Sequence, residues 1–191
     1  TDILWSNIFR RTPESSTRAL LRQVPVFADL DRRELSALEK ILYRREYRPE
    51  EVIFRQDEPG VGMFVIERGT VAIVHEPTGR TLTELTDGDF FGEIALLNET
   101  PRSAAAIART PATLYGLFQP ELFDLFERDP HMGVKVLVPL SQVLSQRLLR
   151  ANRQLKELHD ECAQLRERLQ PPGEPQPTNG EGDGAQDVAV D

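Results

Sequence analysis

Between Arg18 and Arg44 the apolar positions Leu20, Leu21, Val24, Phe27, Leu30, Leu35, Leu38, Ile41 and Leu42 recur at helical spacing. Pro25 interrupts the run, and Asp31 stands where an N-cap belongs, ahead of Arg32 and Arg33. The pattern therefore predicts two short helices. From Tyr47 to Gln119 the period shortens. Turn residues arrive every eight to twelve positions, at Arg48-Pro49-Glu50, Asp57-Glu58-Pro59-Gly60, Gly69, Pro77-Thr78-Gly79, Asp87-Gly88-Asp89, Asn98 to Pro101 and Thr110-Pro111. Between them lie β-rich runs, among them Val52-Ile53-Phe54, Met63 to Glu67, Val71 to His75 and Thr81 to Leu85. Many short strands at that spacing predict a barrel or sandwich, here a jelly roll.

The rhythm breaks at Phe90 to Leu97, where Gly92 and Glu93 lead into Ile94-Ala95-Leu96-Leu97, a run with helix propensity set between strands. Such a turn leaves its first N–H groups without intrahelical partners, an arrangement suited to an anion. Past Pro120 the pattern is helical throughout, with a short helix over Glu121 to Glu127 and a longer one opened by Asp129-Pro130. From Leu144 the positions Leu148, Ala151, Leu155, Leu158, Cys162, Leu165 and Leu169 follow at alternating spacings of four and three. A heptad seam of that length with polar flanks predicts a two-stranded coiled coil, and so a homodimer through residues 144–169. Cys162 falls on the seam as a small hydrophobe, a simpler reading than a catalytic pair with His159.

Charge changes the picture at the C-terminal end. The 191 residues carry a formal net charge of −8, and the 21 residues from Pro171 hold five acids, no base and no aromatic. That composition predicts a disordered acidic tail. The balance offers no global attraction to a phosphate backbone. No apolar run approaches the length of a spanning helix, and Thr1 to Arg11 lacks the order of a secretory signal, so a cytoplasmic protein is expected. The amphipathic stretch around Trp5, Ile8 and Phe9 is short; docking on the barrel or on a partner subunit is expected ahead of membrane contact. With a single cysteine and the scattered His75, His131 and His159, neither a disulfide framework nor a metal centre is expected.

The densest chemical signal is Phe91-Gly92-Glu93-Ile94-Ala95-Leu96-Leu97-Asn98-Glu99-Thr100-Pro101-Arg102-Ser103-Ala104. It resembles the phosphate-binding cassette of the cyclic nucleotide-binding domain, the module of catabolite-activator-type regulators and cyclic-nucleotide-dependent kinases. The resemblance extends over roughly residues 18 to 155, including Val24-Pro25-Val26-Phe27, Gly69 and Gly88-Asp89-Phe90-Phe91. It implies cyclic AMP or cyclic GMP as ligand, with no metal and no enzymatic activity. Arg102 suits the exocyclic phosphate oxygens, because a guanidinium can meet two of them at once. Backbone N–H groups of Ile94, Ala95 and Ala104 and the hydroxyl of Ser103 would add donors. Glu93 would accept from the ribose 2′-hydroxyl, and Gly92 would let the backbone approach the sugar. Val71 and Leu82, matched by their offsets from Gly69 and Gly88, would wall the base. Asn152 either pairs with the adenine edge or is a solvated heptad flank. Asp57 stands where the family usually has glycine, and Val61 where a polar residue is common; an aspartate tolerates the left-handed turn.

The resulting fold class is mainly β with flanking helices: a jelly-roll, cupin-like β-barrel with short N-terminal helices, an inserted cassette helix and a long C-terminal coiled-coil helix. The expected divisions are an N-terminal amphipathic segment over 1–17, the nucleotide-binding domain over 18–130, the dimerisation helix over 131–170 and the acidic tail over 171–191. Catabolite-activator-type regulators continue into a helix-turn-helix; here Pro171-Pro172 follows the coil, so DNA binding by this chain is not expected, and the output would be an unidentified protein effector. The alternative is an interaction scaffold whose barrel has lost its ligand.

Overall fold

The computed structural model describes residues 16–98 and 100–169. The N-terminal stretch around Trp5 and the acidic tail lie outside the described residues. The chain divides into two compact units, the first ending at Ser145 and the second beginning at Gln146.

The first unit opens with α1 (Ser16–Gln23), a 3-10 turn (Pro25–Phe27) and α2 (Arg32–Glu39). Asp31 caps α2 as the sequence predicts, its carboxylate accepting from the N–H groups of Arg33 and Glu34 while Glu34 accepts from the N–H of Asp31. This reciprocal box satisfies donors that a helix start otherwise leaves open. Glu34 also takes Lys135 Nζ at 2.8 and 2.9 Å, tying α2 to a later helix. Helical spacing persists to Arg44 in the sequence, but the chain is already a strand by Tyr43. Strand β1 (Tyr43–Tyr47) is an exposed sheet edge whose Arg44, Arg45 and Glu46 all face water, so it carries no apolar alternation to announce it.

The strands that follow are β2 (Val52–Phe54), β3 (Gly62–Arg68), β4 (Val71–His75), β5 (Arg80–Leu85), β6 (Phe90–Phe91), β7 (Ala105–Ala108) and β8 (Ala112–Phe118), with the inserted helix α3 (Ile94–Leu97) between β6 and β7. They form two four-stranded antiparallel sheets, ordered β1-β8-β3-β6 and β2-β7-β4-β5. This is the expected jelly roll. Alternation along the central strands sorts side chains into two cores, as a period of two requires. Met63, Val65, Tyr115 and Leu117 pack with the helical residues Leu21, Phe27, Leu35, Leu122, Met132, Val136 and Leu140. Ile66, Leu114, Val71, Phe91, Ala106 and Ala108 fill the space between the sheets.

The β4–β5 hairpin ends at Gly79, whose φ of +64° closes the turn and beside which an added Cβ would meet nothing within 4 Å. Helix α4 (Gln119–Arg128) follows β8, and α5 (Pro130–Leu169) begins against the core. The second unit is described by residues 146–169 of α5. Every one of its described side chains is exposed, including seam residues Leu148, Leu155, Leu158, Cys162, Leu165 and Leu169.

Candidate functional site

The cassette begins where β6 leaves β3. Phe91 pairs with Phe64, Gly92 turns the chain with φ +77°, and Glu93 enters α3. The β2–β3 loop grips the far end of this segment from outside. Asp57 N–H donates to Arg102 O at 2.9 Å, Arg102 N–H donates to Glu58 O at 2.9 Å, and Pro59 bridges Pro101. Asp57 achieves this in the left-handed conformation, φ +64°, the geometry that the glycine-to-aspartate departure has to keep. Gly60 closes the same contact: a Cβ there would stand 2.5 Å from that of Ala95 and 2.8 Å from Thr100 O.

Within this frame Arg102 turns inward. It is 6% exposed, and its Nη1 donates to Gly62 O at 2.8 Å and to Gly92 O at 3.2 Å. Its guanidinium lies over the Phe54 ring, 4.1 Å from the centroid. Burial pushes the pKa of Arg102 below the ordinary arginine value, while the Glu93 and Glu58 carboxylates oppose that shift. Glu93, 4% exposed, thus sits with Arg102 as the sequence groups them, and both are interior groups rather than a solvated surface pair. A buried cation with an adjacent carboxylate can meet an anion and a hydroxyl together.

Gly92 has a role beyond the approach of a sugar. A Cβ at this position would lie 2.6 Å from Arg102 Nη1 and 3.1 Å from Gly62 O, so glycine here makes room for the arginine. The relation between two residues ten positions apart has no periodic signature. Ala95 and Ala104 are buried, and Ile94 and Ser103 are exposed. The Ala95 N–H donates to Gly92 O at 3.2 Å, closing the turn; it is therefore not one of the unpaired donors that the pattern suggests.

The expected apolar wall is not brought together. Val71 is wholly buried in the inter-sheet core, while Leu82 is 55% exposed. Register explains the difference. Ile73 pairs with Thr83 and Val74 with Thr81, leaving Leu82 as the extra residue of a bulge, and bulges re-aim side chains. Val71 keeps its place opposite Ala108 and Leu85 and has no surface to offer a base. Asn152 lies exposed in the second unit. A cleft of about 630 Å³ opens elsewhere, lined by Tyr47, Gly69, Thr70, Asp87 and Thr110 among others, and shares no residue with the cassette. Among the described residues no three His, Cys, Asp or Glu side chains gather as a metal site, and no helix is long and apolar enough to cross a membrane.

The barrel is thus a jelly roll interrupted by a one-turn helix, with a buried arginine turned inward beside it. Residues 44–129 match the sequence model of the cyclic nucleotide-binding domain. A cAMP-dependent protein kinase regulatory subunit of Yarrowia lipolytica is 32% identical over 118 residues, covering 58% of this chain and 32% of that protein. The catabolite activator protein of Thermus thermophilus superposes with a TM-score of 0.63 at 32% identity, over 71% of this chain and 63% of that one. A cyclic nucleotide-binding domain from Methylobacillus flagellatus, at 23% identity, shares the fold with a TM-score of 0.65 over 74% of this chain and 82% of that one. The chain spans a quarter to a third of the length of the curated relatives it matches.

Proposed function

We propose that the barrel is a regulatory, non-catalytic sensor that binds cyclic AMP or cyclic GMP, with the phosphate taken by Arg102 and the 2′-hydroxyl by Glu93. The observation that carries this reading is the buried Arg102, a cation held against desolvation beside Glu93 in a cassette that matches the family pattern. The N–H groups of Ile94 and Ala104 and the Ser103 hydroxyl complete the phosphate contacts, and Leu82, set outward by its bulge, covers the base. The kinase regulatory subunit and the catabolite activator among its relatives are regulators, which supports a signalling output here. The exposed heptad face of 146–169, with Leu144 ahead of it, serves as a homodimer seam, and the dimer passes the signal to a protein effector without binding DNA through this chain. Calorimetric titration with cyclic AMP, cyclic GMP and a cyclic dinucleotide tests the reading: saturable binding of a cyclic mononucleotide is expected, and heat from none of the three refutes it.

A further inference from the structure

Buried arginines are ordinarily compensated by carboxylates bonded along their N–H edges. Arg102 is held differently. Among the described residues its hydrogen bonds run from Nη1 to two carbonyl oxygens, Nε is buried without a hydrogen-bond partner, and the face of the guanidinium is taken by Phe54 at 4.1 Å, with Phe64 further away at 5.9 Å. The face of an aromatic ring attracts a cation through its quadrupole without consuming any N–H donor. A carboxylate bonded in the same place would cancel the charge that an anionic ligand has to find. A ring holds the cation and leaves it a cation.

Phe54 is itself held for this task. Strand β2 is a three-residue edge with a register irregularity between Val52 and Phe54. The Phe54 ring packs on Phe64 at 5.9 Å and on Phe91 at 5.8 Å, and those two stack at 5.6 Å. Phe91 immediately precedes Gly92, whose missing Cβ makes room for Nη1. The three rings thus join β2 and β3 to the root of the cassette, and the arginine lies on them.

We propose that Phe54 is a positioning residue for anion recognition: it carries the Arg102 guanidinium on its ring so that the unspent donors stay available to the ligand phosphate. The proposal rests on the cyclic-nucleotide reading of the site. Its test is a cycle of Phe54→Leu and Phe54→Tyr, each made in the parent and in Arg102→Ala, with cyclic AMP affinity followed by calorimetry and, for weak binders, by NMR titration. Phe54→Leu should weaken binding about five- to thirty-fold in the parent and less than about twofold in the Arg102→Ala background, the magnitude of a desolvated cation–ring contact. Phe54→Tyr, which keeps the ring, should stay within about threefold of the parent. The unliganded protein supplies a second readout, because a ring face shields the protons above it: Arg102 side-chain resonances should lie upfield in the parent and in Phe54→Tyr and return toward ordinary positions in Phe54→Leu. Equal weakening by Phe54→Leu in both backgrounds, parent affinity in Phe54→Leu, or unshifted Arg102 resonances in the parent would each overturn the proposal. A parent that binds no cyclic mononucleotide while its Arg102 resonances are shifted instead overturns the reading of the site, and with it any role of the platform in recognition.

Discussion

The barrel unit and the helix beyond Ser145 solve opposite problems with similar side chains. Leu114, Leu117 and Leu122 are closed into the first unit, whereas Leu155, Leu158 and Leu165 stand more than half exposed on the second. In the barrel unit Leu114 and Leu117 are fixed by the register of β8 against β3, and Leu122 by packing of α4 into the core beside Leu117. On the helix beyond Ser145 leucines recur at heptad spacing and stay exposed. Burial inside one chain therefore specifies a shape, and the same residue type left outside offers an apolar surface to water.

The largest effect should separate the two regions directly. Leu117→Ala removes a fully buried side chain and should lower stability by about 2 to 5 kcal/mol, while Leu158→Ala should leave the melting of the barrel unchanged in calorimetry. Equal losses would break the comparison. Next is the charge inside the barrel: Arg102→Ala should weaken cyclic nucleotide binding by about 2 to 5 kcal/mol, roughly thirtyfold or more. Glu93→Ala should cost less, since its partner would be a neutral hydroxyl, and titration of both variants ranks them. On the exposed helix, Leu158→Lys should place a charge in the seam and weaken self-association by about 2 kcal/mol, read by light scattering across a dilution series; unchanged mass at every dilution would mean that the seam is not the interface.

Smaller effects address how firmly the first unit is built. Asp57 holds a left-handed backbone that glycine adopts without strain. Asp57→Gly should therefore match or exceed parent stability by up to about 1 kcal/mol, and Asp57→Val should lose about 1 to 2 kcal/mol, both measured by urea denaturation. The smallest effect is the pH response of the α2 cap. Hydrogen bonding from the Glu34 N–H, more than the other neighbours, holds the Asp31 carboxyl below the usual aspartate value. A depressed folded pKa contributes stability that is present above the unfolded value and lost as pH falls through the folded one. Acid titration of melting temperature should show that loss below about pH 4 in the parent and a shallower slope in Asp31→Asn.

Much of this architecture is legible in the residues because local signals agree with it. Val71 to His75 reads as a strand and is one; Asp31 reads as a cap and forms a full capping box. The cassette helix at Ile94 to Leu97 stands out because it violates the strand rhythm around it. What escapes is set by pairing at a distance. Tyr43 leaves helix for strand because β8 lies beside it, with Tyr43 opposite Gly116, and no pattern within residues 43–47 encodes that neighbour. Leu82 is turned outward by one extra residue against β4, and Phe54 meets Arg102 across 48 positions of sequence. Contacts of this kind depend on the fold being complete.

The bare tip of the β4–β5 hairpin makes the barrel unusually easy to instrument. A Cβ added at Gly79 would meet nothing within 4 Å, and lengthening an exposed turn costs little, about 0.6 kcal/mol for each doubling of the loop. A reporter protein spliced after Gly79 would inherit the ends of both strands. It would hang from the same edge strand whose bulge presents Leu82, so that strand becomes a mechanical lead running from the barrel wall to an optical readout.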